Sequence, residues 1–208
     1  MLYGRGVSDD KGPVVCALLA MKAVRDLGLP LTANARMILG TDEESGSSDI
    51  AYYYSKEPYA PYAFTPDADF PVINIEKGHY HPDFGSTWKK AEALPRVTGL
   101  KGGFRTNVVP PEAEAAVVGV SAADAEAAAR QTAGETGAAF TVEETDGGVR
   151  IRCAGKNAHA ASPDGGNNAI TALLTLLSHL QLADCGSTAA IKSMHQLFPH
   201  GDTRGKAL

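Results

Sequence analysis

The chain has 208 residues, of which 44% are hydrophobic and 21% charged, enough apolar content for one good core or two modest ones and too much for a disordered or fibrous polymer. A formal charge of -5 and a pI near 5.7 leave no broad basic surface for phosphate backbones or anionic lipid, which excludes nucleic acid and membrane as partners and favours a small molecule or peptide. Three cysteines, Cys16, Cys153 and Cys185, are odd in number and lie outside any CxxC spacing, so reduced thiols in the cytoplasm are expected. The sequence shows neither a leader pattern nor an apolar run of membrane length, so neither export nor insertion is expected.

In chain order, Val14, Val15, Leu18, Leu19, Met21 and Val24 recur at helical spacing between Lys11 and Leu27, and Gly28-Leu29-Pro30 stops the run. Residues 33–39 read as a buried strand entering Gly40-Thr41, 47–56 as a helix, and 62–65 and 72–75 as two further strands. This alternation predicts an α/β region with a mostly parallel sheet, whose ligands gather beyond the carboxyl ends of its strands. The character changes near residue 80. A Gly-punctuated strand is expected within 94–109, and an Ala-rich helix over 121–136 with Ser121 and Asp124 as its N-cap signature. A hairpin of 140–144 with 148–154 should turn at Asp146-Gly147, followed by an amphipathic helix over 168–182. The predicted organisation is a first domain over 1–79 and a second, α+β domain over 80–208.

Three acidic clusters end the apolar runs of the first region: Asp9-Asp10 in a Gly-Arg-Gly loop, Glu43-Glu44 in a Gly/Ser loop, and Asp67 after Pro66. Adjacent acids at a strand end point in different directions, so one can ligate a metal while its neighbour takes a proton from water. Two metals close together need a bridging carboxylate, further carboxylate or imidazole ligands, and such a base. The competing reading is that acidic pairs in such loops are solvated turns or helix caps.

The motifs themselves narrow the choice. Gly4-Arg5-Gly6-Val7-Ser8-Asp9-Asp10-Lys11-Gly12, then Thr41-Asp42-Glu43-Glu44-Ser45-Gly46-Ser47, then Pro66-Asp67-Ala68-Asp69-Phe70-Pro71 resemble the co-catalytic zinc exopeptidases, and most of all their bacterial Xaa-His (carnosinase-like) dipeptidases. The likeness continues through Leu100-Lys101-Gly102-Gly103, Thr106-Asn107-Val108-Val109-Pro110, Gly155-Lys156-Asn157-Ala158-His159-Ala160 and Leu197-Phe198-Pro199-His200-Gly201-Asp202. The resemblance implies part of a catalytic domain followed by part of an α+β lid. It implies two divalent ions, zinc or manganese, with Asp9 bridging them, Glu44 and Asp67 each ligating one, and Glu43 as general base. It further implies a non-proline cis peptide between Asp9 and Asp10, an oxyanion donor at His159, substrate contact by Asn107 and His159, a dipeptide substrate, and a homodimer formed through the lid.

Other residues are given structural roles. Arg5 and Lys11 are read as partners of the acidic loop. His79 and His81 would share one face of an extended segment, where the family pattern has no ligands; His179 is placed in a helix, and His195 and His200 in a loop of the lid. The family's His-x-Asp ligand, its late histidine ligand and its carboxylate-binding arginine have no counterpart here, so an internal fragment, inactive or weakly active by itself, is expected. A non-catalytic association module and a deacylase of the same family are the alternatives.

Overall fold

Pro13, which has no N–H to satisfy, falls in the first turn of the helix that the apolar repeat builds, α1, Gly12–Asp26. It closes with the Leu27 amide donating to the Ala23 carbonyl at 3.0 Å, ahead of Gly28 in the left-handed region at φ 60°. The computed structural model describes residues 3–67, 71–75, 78 and 81–208. They fall into two units, Met1–Glu76 and Lys77–Leu208, whereas the sequence reading divides the chain at 79/80.

In the first unit α1 is followed by a short turn at Glu43–Ser45 and by α2, Ser48–Tyr54. The strands expected over 33–39, 62–65 and 72–75 are not formed: among the described residues this unit holds no strand. Their apolar side chains stay accessible, with Leu39 62%, Phe64 85% and Ile75 83% exposed. A strand exists only through a neighbour's N–H and C=O groups, and β-forming residue types alone do not supply that ladder. Among the described residues these three segments are irregular and join helices, and the strands that the structure describes lie in the second unit.

That sheet is in the second unit. Strands β1 (Arg96–Gly102), β2 (Glu112–Val118), β3 (Ala139–Thr145) and β4 (Gly148–Ala154) form one antiparallel sheet in the order β1-β2-β4-β3. Helix α3, Ala122–Thr136, joins β2 to β3, and α4 (Ala169–His179) and α5 (Gly186–Leu197) follow β4. Alternation decides which side is covered: Ala113, Ala115 and Val117 of β2 and Val149, Ile151 and Cys153 of β4 are buried. They form one core with Ala125, Ala128 and Ala129 of α3 and Ala172, Leu173, Leu176 and Leu177 of α4. The other side carries charge, with Glu114 taking Lys101 at 3.2 Å and Arg152 at 3.1 Å, and Arg152 reaching on to Glu143.

Caps fix the helix ends. The Ser121 hydroxyl accepts the Asp124 amide at 3.1 Å, and the Asn168 side chain accepts the amides of Ile170 at 2.9 Å and Thr171 at 3.3 Å. His195 lies on α5 rather than in the loop assigned to it. The burial of Thr188 and Ile191 on α5 shows why a helix forms where the sequence has few apolar residues. His179, the last residue of α4, faces Thr132 of α3, with Nδ1 3.1 Å from its hydroxyl. Among the described residues no helix is long and apolar enough to cross a membrane.

Candidate functional site

The first acidic motif is a single wide turn, Val7–Lys11, packed against the start of α1. Gly6 enters it at φ 69°, a conformation that L side chains resist, and a Cβ on Gly12 would lie 2.7 Å from the Val7 carbonyl oxygen. Gly6 and Gly12 are thus set by backbone geometry. Lys11 closes the turn by donating from Nζ to the Arg5 carbonyl at 2.9 Å, the structural part expected of these two residues. Asp9 is exposed and Asp10 half-buried, and the peptide between them is cis. Asp10 Oδ1 is buried without a hydrogen-bond partner.

The second motif divides its acids by direction. Glu43 and Glu44 face solvent from the short turn, whereas Asp42 is half-buried and accepts the amide and hydroxyl of Ser48. These bonds hold the Asp42 carboxyl below its ordinary range, the Ser48 hydroxyl contributing most. Asp49 is depressed likewise, chiefly by the Thr41 amide at 2.6 Å. Neither Asp42 nor Asp49 is assigned a part by sequence reading. Two acids seven residues apart across a Gly/Ser turn can reach the loop's opposite arm, but that spacing does not say which atoms meet.

Asp67 is exposed, and Ala68, Asp69 and Phe70 of its motif lie outside the described residues, as does His79. Among the described residues no three His, Cys, Asp or Glu side chains converge closely enough to hold a metal ion. The donor chemistry is suitable, all hard carboxylate oxygen, and the orphaned Asp10 oxygen is the kind of acceptor a cation satisfies. Among the described residues Asp9, Glu44 and Asp67 stand on separate segments.

The second unit does bring its two predicted residues together. Val108 and His159 form an antiparallel bridge, with the Val109 amide on the Ala158 carbonyl at 2.9 Å and the Ala160 amide on the Asn107 carbonyl at 2.8 Å. Below it, Lys156 and Asn167 pair through both amides, at 2.9 and 2.8 Å. Gly155 permits this approach, because a Cβ there would stand 2.1 Å from the Asn167 carbonyl oxygen. The Ala161 amide donates to His159 Nδ1 at 3.1 Å. In the neutral ring the proton therefore sits on Nε2, which makes that nitrogen a donor on an exposed side chain.

A cavity of about 510 Å³ lies beside this bridge, lined by Thr106, Pro110, Asn167, Thr171, His200 and Asp202 among others. His200 Nδ1 is 2.9 Å from the Thr171 hydroxyl, and burial lowers the ring's pKa. Asn167 donates to the Thr136 carbonyl at 2.8 Å while its Oδ1 is buried and unpartnered.

Comparison with known proteins covers the stretches that hold these residues. Residues 1–170 match the model of peptidase family M20/M25/M40, and residues 147–200 match that of a peptidase dimerisation domain. "Putative dipeptidase YtjP" of Bacillus subtilis (strain 168) is 35% identical across 100% of this chain and 45% of its own length. "Beta-Ala-Xaa dipeptidase" of Lactobacillus delbrueckii subsp. lactis is 30% identical across 100% of this chain and 44% of its own. A putative dipeptidase of Staphylococcus aureus (strain USA300) is 37% identical over 56% of this chain and 26% of its own. The chain thus spans a little under half the length of the first two of these curated relatives. With a family model covering most of its residues and two relatives aligned along the whole of this chain, the chain belongs to peptidase family M20/M25/M40.

Proposed function

We propose that this chain carries the acidic turns and the lid of a metal-dependent dipeptidase located in the cytoplasm. The observation that supports it best is the alignment of the whole chain with two relatives named as dipeptidases. Two divalent ions, zinc first and manganese second, would supply Lewis-acid chemistry when bound, with Asp9 as bridging ligand and Glu44 and Asp67 as the separate ones. Glu43, exposed beside Glu44, takes a proton from the attacking water and returns it to the leaving amine. His159 donates from Nε2–H to the oxygen of the former carbonyl, and Asn107, on the paired strand, steadies the substrate. The bridge between 107–109 and 158–160 supports these last two parts, because it gives both residues one backbone frame.

The dimerisation-domain match at 147–200 supports a homodimer formed through the second unit, readable as a doubled mass by sedimentation. The catalytic reading is tested in a chimera in which these 208 residues replace the matching part of the Bacillus relative. With zinc or manganese it should hydrolyse dipeptides, and Glu43→Gln should lower turnover by about 10²- to 10⁴-fold, the usual weight of a general base. Turnover in Glu43→Gln within a few-fold of the parent chimera would overturn the assignment.

A further inference from the structure

Four residues around the Glu43-Glu44 turn form a reciprocal set of hydrogen bonds. Thr41 and Asp42 enter the turn, and Ser48 and Asp49 leave it. Asp49 Oδ2 accepts the Thr41 amide at 2.6 Å and its hydroxyl at 3.2 Å, while Asp42 Oδ2 accepts the Ser48 amide at 3.0 Å and its hydroxyl. Each arm thus contributes one carboxylate and one donor pair, and the Thr41–Asp49 pair encloses the Asp42–Ser48 pair. Asp49 is held further by the Ile50 amide, which donates to Oδ1 at 2.8 Å. Within the loop, the Ser47 and Ser45 amides both turn back to the Asp42 carbonyl, at 2.7 and 3.2 Å. Gly40 makes room at the neck, since a Cβ there would press on Ile50 at 3.2 Å.

We propose that Asp42 and Asp49 are positioning residues that close the neck of this loop and so fix the direction in which Glu43 and Glu44 are presented. The link to catalysis rests on the dipeptidase reading above; the clamp itself does not. The run Asp42-Glu43-Glu44 is three successive acids, yet only the last two face solvent, because the first is turned inward by Ser48. Without the clamp, the neck of the loop would keep only its backbone bonds to the Asp42 carbonyl, and the turn that carries the two glutamates would gain freedom. What the clamp requires is acceptor oxygens rather than charge, so an amide oxygen should serve in place of a carboxylate.

The test compares Asp42→Ala, Asp42→Asn, Asp49→Ala and Asp49→Asn in the 208-residue chain by amide hydrogen exchange and backbone NMR shifts. Asp49→Ala should speed exchange at Thr41, and Asp42→Ala at Ser48, by about tenfold, the weight of a lost cap. Both should shift the Glu43 and Glu44 resonances. The Asn variants should recover to within about threefold of the parent, and amides of β2 and β4 serve as the internal measure that the chain remains folded. Unchanged exchange in the Ala variants would overturn the clamp. Asn variants no better than Ala would overturn it too, by showing that charge is what the position requires. A chimera that hydrolyses no dipeptide would remove the dipeptidase reading and leave the exchange result to decide the clamp on its own terms.

Discussion

Cys185 and Cys153 sit at opposite ends of thiol reactivity. Cys185 has Sγ 3.3 Å from the Ser187 hydroxyl and 3.4 Å from that of Thr188, and these contacts lower its pKa to about 7. Cys153, on the covered face of β4, is raised by burial to about 12. Folding therefore favours the Cys185 thiolate: its contribution is complete above the ordinary value of 9.0 and is lost as pH falls through about 7. For Cys153 the sign reverses, its contribution being present below 9.0 and lost as pH rises towards 12. Alkylation mapped by mass spectrometry should show Cys185 reacting with a midpoint near pH 7, and Cys153 inert until the chain unfolds; equal rates at the two sites would contradict this. The same scale shows what residue types convey. Asp9 and Glu43 stand out because acids in Gly-rich motifs are chemically specific, whereas the clamp by Asp42 and Asp49 depends on which atoms meet across a turn, and spacing leaves that open.

Among the elements, those with a local signature were readable: α1 from its periodicity and the Gly28-Leu29-Pro30 stop, α3 from Ser121 and Asp124, and the β3–β4 hairpin from Asp146-Gly147. β2 was not, although it is central to the sheet. Its sequence, Glu112-Ala-Glu-Ala-Ala-Val-Val118, is rich in helix formers, and only the partners on both sides, β1 and β4, make it a strand. The unformed strands at 33–39, 62–65 and 72–75 are the converse, β-forming residues without a partner among the described ones. Element ends yield two expectations. Asn168→Ala removes the acceptor of two amides and should destabilise the second unit by about 1 kcal/mol in urea titration. Gly155→Ala places a methyl against backbone oxygen and should release the Lys156–Asn167 pair, seen as faster amide exchange there and at Val109; unaltered protection would show that the glycine is not needed for the approach.

For the whole molecule, the two units differ in what holds them. The buried apolar core gathers in Lys77–Leu208, while the described segment 81–93 carries no helix or strand, and both Lys89 and Lys90 are exposed. Brief trypsin digestion should cut there first and leave a resistant piece carrying β1 to α5; a first cut within β2 or α4 would contradict the assignment of the core. The core has one further property. Ala113 and Ala115 on β2 meet a helical layer that includes Ala125, Ala128, Ala129, Ala169 and Ala172, so methyl groups set the spacing between sheet and helices. A larger side chain at any one of these positions has nowhere to go unless a neighbour across the gap shrinks or the layers part. Changes in this layer should consequently accumulate as matched pairs, one side growing as the other recedes, while the charged face of the same sheet remains free to vary one residue at a time.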